Sequence, residues 1–236
     1  TIEGHPKHAE YTKFTLKNPT EVYFRIHQTD TRKLPLELRA DAQYSPGELF
    51  VAKVMPDGSY RAVINNFDDC DPDAQSGTRA IHGSLDKMKL EAGDYIIRTK
   101  VRWRDGQPHK FTLSAYSEDV IELKHITPVK DFLYRYFSSV GMNCPNKQDM
   151  KNNCKMVNKF YDFYSYLYLE NNGDKDWKID VTFKKLGNMK IAKAFKISPN
   201  QMKISVPAGR KVVAICKKID LNGGCSYEWS WVQKFE

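Results

Sequence analysis

The chain has 236 residues, a formal net charge of +8 and a pI of about 9.1; 41% of it is hydrophobic and 12% aromatic. This composition excludes a disordered polar tract, and the length fits two domains of about 110 residues better than one. No apolar run approaches the roughly 20 residues that span a bilayer, no charged-then-apolar leader opens the chain, and the start at Thr1 without methionine predicts a fragment or a processed product. The positive balance favours an acidic membrane surface or an acidic protein as partner, with solubility alone as the plain alternative.

The predicted elements are strands. Phe14–Leu16 and Val22–Ile26 are rich in aromatic and β-branched residues and flank a turn at Asn18-Pro19. Glu48–Val54 and Tyr60–Asn66 are separated by Pro56-Asp57-Gly58-Ser59, a hairpin signal. Tyr95–Trp103 and Lys110–Tyr116 repeat the scheme across Asp105-Gly106-Gln107-Pro108. Next, Asp131–Phe137 reads as a short helix or a first strand, and 141–153 as a polar loop.

An internal repeat organises the whole. Met88-Lys89-Leu90, Gly93 and Phe111–Tyr116 correspond to Met202-Lys203-Ile204, Gly209 and Tyr227–Val232; Gly93/Gly209 and Phe111/Tyr227 share one offset of 116 residues. Phe14–Asn18 corresponds to Leu167–Asn171 at an offset of 153, so the first copy carries about 37 extra residues in its middle. The expected fold is all-β: two tandem antiparallel β-sandwiches, residues 1–127 and a shorter one in 128–236, joined by a short, partly helical or irregular linker.

Two stretches resemble a known family. Val22–Arg32 is similar to the early strand of the calpain-type β-sandwich, which often closes in a Gln-x-Asp-x-Arg turn. Leu90–Ile97 and Phe111–Glu118 resemble its closing hairpin, and Pro207-Ala208-Gly209 with 226–235 carry the likeness into the second copy. At the last strand the chain departs from the pattern: Ser114 and Ala115 stand where the family often has an Arg. The resemblance implies a C2-like, non-catalytic regulatory module that couples Ca²⁺ and phospholipid to a cysteine-peptidase core elsewhere in the protein.

Two candidate sites follow. Asp68, Asp69, Asp71 and Asp73 crowd four carboxylates into six residues of a basic chain. A hard cation such as Ca²⁺ fits that donor set, although Ala74 and Ala80 stand where an EF-hand needs Gly and Glu. A solvated loop, or one latched onto basic strands, is the alternative. Arg98, Lys100, Arg102 and Arg104 alternate with apolar or neutral residues, which on a strand lines four cations about 7 Å apart on one face. Such a row fits acidic phospholipid headgroups, an acidic loop of the same module, or merely a charged solvent face that guards against aggregation. In the second copy, alternating Tyr227, Trp229 and Trp231 read as core-facing.

The six histidines form no HExxH or HxE pair, and no GxSxG, P-loop or GxGxxG occurs, so no enzyme site is expected. The five cysteines lack CxxC spacing and read as structural reduced thiols in an intracellular setting; Cys216 and Cys225 flank a hairpin and are placed to pair in an oxidising compartment. No aromatic-basic nucleic-acid motif is recognisable. The leading expectation is a cytoplasmic, peripherally membrane-bound regulatory segment that binds acidic phospholipid, with Ca²⁺ as a candidate ligand of the acidic loop; the rival is a protein-binding scaffold without lipid or metal.

Overall fold

The computed structural model of the chain describes residues 2–4, 8–28, 45–64, 75–76, 82–103, 106–160, 164–219 and 225–236, with only the backbone described at 75–76 and 82–87. These residues divide into two compact units, the first ending at Lys130 and the second running Asp131–Glu236.

In the first unit the chain forms β1 (Ile2–Gly4), β2 (Glu10–Leu16), β3 (Thr20–Gln28), β4 (Gly47–Val54), β5 (Tyr60–Val63), β6 (Gln75–Ser76), β7 (His82–Leu90), β8 (Gly93–Val101), β9 (His109–Tyr116) and β10 (Lys124–Ile126). One antiparallel sheet has the order β1-β9-β3-β7; the other runs β10-β2-β8-β4-β5, with β6 beside β4. Alternation along β3 buries Val22, Phe24 and Ile26 and turns Glu21, Tyr23 and Arg25 outward. These meet Phe14, Leu16, Leu49, Val51, Tyr95 and Ile97 of the facing sheet in one core, the arrangement of a β-sandwich.

The second unit opens with helix α1 (Phe132–Asn143). It continues with β11 (Gln148–Met150), β12 (Cys154–Phe160), β13 (Tyr164–Asn171), β14 (Trp177–Gly187), β15 (Met189–Ile191), β16 (Lys196–Ser198), β17 (Gln201–Val206), β18 (Lys211–Lys218) and β19 (Ser226–Phe235). The sheets are β11-β12-β13-β18-β15 and β16-β17-β14-β19. Leu167, Leu169 and Ala214 of the first meet Trp177, Ile179, Val181 and Ile204 of the second.

One pairing scheme recurs in both units: β2-β8-β4 matches β13-β18-β15, and β9-β3-β7 matches β19-β14-β17. The offset of 116 nevertheless misplaces β18. Phe14 lies opposite Tyr95, whereas its counterpart Leu167 lies opposite Ala214. Equating Tyr95 with Ala214 requires an offset of 119; the turn at 207–210 is two residues longer than Glu91-Ala92 and accounts for two of the three added positions. Gly93 and Gly209 do both sit at positive φ, 142° and 68°, so the shared glycine marks a turn requirement rather than strand register.

The helix corrects the expected linker. Phe132, Leu133, Tyr136, Phe137 and Val140 recur at helical spacing and are buried, so α1 presents one apolar face. That face packs on β13 and β18, with the Phe137 ring 4.9 Å from Tyr166 and 5.9 Å from Tyr164. The strand beneath is therefore covered on both sides: Leu167 and Leu169 face the sandwich core while Tyr164, Tyr166 and Tyr168 face the helix, and all five are buried. The polar loop expected over 141–153 likewise contains the end of α1 and β11.

Candidate functional site

The predicted cation row lies on β8 and just beyond it, and its alternation is as expected: Tyr95, Ile97 and Val101 enter the core while Arg98 and Lys100 point to the other face. That face is closed. Phe50 and Tyr11 flank Arg98 across the strand pairs, and they are 1% and 8% exposed. Arg98 itself is 6% exposed and Glu48 is 0%. An Arg98 Nη1–H donates to Glu48 Oε2 at 2.9 Å, and the Arg102 Nε–H donates to the other carboxylate oxygen. The Arg98 guanidinium also stands 5.8 Å from the Phe50 ring centre. Two of the four cations thus clamp one buried carboxylate, correcting the expectation of a solvent-facing row. Lys100, cross-strand from Glu48, is half-buried, and Arg104 lies outside the described residues.

The acidic residues Asp68, Asp69, Asp71 and Asp73 also lie outside the described residues, as does Cys70. Among the described residues no three His, Cys, Asp or Glu side chains gather as metal ligands. Cys144 is disulfide-bonded, correcting the expectation of uniformly reduced thiols, while Cys154, Cys216 and Cys225 are free and so do not pair with one another. Burial pushes the Cys216 thiol up to about 11 and also raises Cys154, so both stay protonated and unreactive at neutral pH.

The net charge has an uneven address. Residues 1–130 hold 19 Lys and Arg against 19 Asp and Glu, and residues 131–236 hold 18 against 10, so the whole excess of +8 lies in residues 131–236. The pairings bring much of it to one end of that sandwich. Lys184 and Lys185 stand at a bulge near the end of β14, and Asn188, at φ 58°, turns the chain straight into β15. Lys190 is then cross-strand from Lys217, and Met189 from Lys218. The Ile219 N–H closes the group by donating to the Asn188 carbonyl at 2.9 Å. Lys184 has a partner in Glu228 at 3.6 Å, but Lys185, Lys190 and Lys218 make no ion pair among the described residues. Ile219 is 59% exposed beside them. Sequence reading missed this group because its members come from three strands and lack a linear motif.

On β19, Tyr227, Trp229 and Trp231 pack against the core as expected, though each is only half-buried. No family model matches the chain, and no curated protein matches it.

Proposed function

We propose that this chain is a non-catalytic binding segment that docks on an anionic membrane surface through the lysine-rich end of its second sandwich. The carrying observation is that Lys185, Lys190 and Lys218 lie at the end of the sandwich where β14, β15 and β18 meet at Asn188, with no ion pair among the described residues and beside exposed Ile219. Basic residues next to an acidic bilayer contribute about 1 kcal/mol each, and an exposed aliphatic tip adds insertion into the interface. The first unit supplies no such surface at Arg98 and Arg102, whose side chains are largely buried against Glu48.

The resemblance of residues 11–127 to the calpain-type module supports a further step: the segment serves a peptidase core lying outside these residues. On that reading it attaches peripherally at the cytoplasmic leaflet, and Ca²⁺ acts at Asp68, Asp69, Asp71 and Asp73. The disulfide at Cys144 restricts this placement, since such bonds are rare in a reducing cytosol. Among the described residues, no helix is long and apolar enough to cross a membrane.

Sedimentation with phosphatidylserine–phosphatidylcholine vesicles tests the reading. Binding is expected at low salt, and the combined Lys185→Glu, Lys190→Glu and Lys218→Glu variant should weaken it by about 100-fold or more, from about 1 kcal/mol per lysine. Binding should also fade as salt rises. Absence of binding to acidic vesicles at low salt, or an unaffected triple variant, overturns the proposal. Repeating the assay with and without Ca²⁺ tests the acidic loop separately.

A further inference from the structure

The two sandwiches differ at one corresponding edge. In the first unit the outer edge of β9 is covered by β1, with Ile2 opposite Phe111, Glu3 opposite Lys110 and Gly4 opposite His109. The covering strand is firmly seated. Ile2 packs on the core, and the Gly4 carbonyl accepts a hydrogen bond from Trp103 Nε1 at 2.8 Å. In the second unit the equivalent strand, β19, is ten residues long and pairs with β14 alone among the described residues. The segment preceding β13, the counterpart of the one that supplies β1, forms β12 on the other sheet.

The open edge can be read residue by residue. Asp176 and Glu236 exchange both backbone hydrogen bonds, at 2.9 and 3.1 Å. Antiparallel pairing alternates, so Lys234, Val232 and Ser230 likewise point their N–H and C=O towards β14. The bulge adds its residue on β14, which leaves the alternation along β19 intact. Tyr227, Trp229, Trp231, Gln233 and Phe235 therefore aim their N–H and C=O at the uncovered side. Four of these five carry aromatic rings that pack on the core yet stay half-buried. An unblocked edge of this length is a template for another strand.

A partly open apolar cavity of about 20 Å³ adjoins this edge, between the two sheets. Leu167, Phe183, Met202, Ala214 and Cys216 line it, and Tyr227 and Trp229 bring β19 to its wall. It has room for a small aliphatic group rather than a ring. Tyr227 is the counterpart of Phe111, the residue that Ile2 faces in the first unit.

We propose that the open edge of β19 binds an extended peptide strand of a partner protein, added antiparallel, with a β-branched aliphatic side chain directed into the cavity beside Tyr227 and Trp229. Backbone pairing supplies the affinity and the cavity supplies the selectivity, as in other sites of strand addition. The excess of cations in residues 131–236 favours an acidic peptide. The strand Ile2-Glu3-Gly4 shows that chemistry already seated on the first sandwich.

The probe is a fluorescein-labelled octapeptide alternating Ile with Glu or Thr, titrated against the whole chain with amide hydrogen exchange as a second readout. Binding should slow exchange at Trp229, Trp231, Gln233 and Phe235. Replacing the central Ile by Ala should weaken it at least tenfold. Gln233→Pro removes an N–H that points away from β14 and should abolish binding while the thermal transition persists. If that variant unfolds because Gln233 no longer accepts from Trp177 Nε1, Ala214→Val is the second test. By filling the cavity it should erase the preference for the Ile peptide over the Ala peptide. No slowing of exchange along β19 at millimolar peptide, or equal binding by either variant, overturns the proposal. So does protection of the same amides by concentration alone with a doubled mass in sedimentation, which would assign the edge to a second copy of the chain.

Discussion

Glu48 shows most directly how neighbours decide the meaning of a residue. Its carboxylate is fully buried and accepts from Arg98 and Arg102, one on each oxygen. Removing one partner of a buried ion pair leaves an uncompensated charge and costs about 3–5 kcal/mol. Glu48→Gln is expected to lower unfolding free energy by that amount in denaturant titration, and Arg98→Glu by at least as much. A charge reversal at Arg98 that leaves stability untouched would place its side chain in solvent and contradict the burial. Asn171 makes a parallel case. Its amide donates to the carbonyls of Lys175 and Val206, both at 2.8 Å, while its oxygen accepts from the Gly173 N–H at 3.0 Å and the Cys154 thiol at 3.2 Å. In the sequence the same residue is visible only as the polar end of a repeated strand.

Strand positions were legible because period-2 alternation and Gly/Pro punctuation are local signals. The expected strands at Phe14–Leu16, Val22–Ile26, Glu48–Val54 and Lys110–Tyr116 all fall within or nearly coincide with observed ones. Helix α1 was only half-legible: seven residues were too few to separate a helix from a strand, although Val140 extends the apolar face by one turn. The packing of α1 depends on Gly141, where a Cβ would lie 2.3 Å from Tyr168 Cγ, on a residue that is itself fully buried. Helix propensity alone favours Ala over Gly by about 1 kcal/mol, so the same replacement at an exposed helical glycine would stabilise. Here the steric term wins. Gly141→Ala is expected to destabilise by about 1–3 kcal/mol, the usual cost of overpacking, measured as a lower midpoint in urea. A neutral or raised midpoint would mean that α1 is not seated on Tyr168.

For the molecule as a whole, thiol chemistry gives a direct check. Denaturation without reductant should make Cys154, Cys216 and Cys225 alkylatable and leave the Cys144 peptide unmodified until reductant is added. Alkylation of Cys144 before reduction would restore the reduced-thiol expectation. By itself the sequence determined the all-β class, the alternating strands, the recurrence of one strand pattern and the total charge, because these depend on composition and on neighbours a few residues apart. Only tertiary structure decided which charges remain available. Arg98 and Arg102 read as a basic row until β4 places Glu48 across from them, whereas Lys185, Lys190 and Lys218 look scattered until three strands meet at Asn188. The physical reason is that a charge takes its energy from what lies within a few ångströms, and in an antiparallel sandwich most such neighbours are distant in the chain.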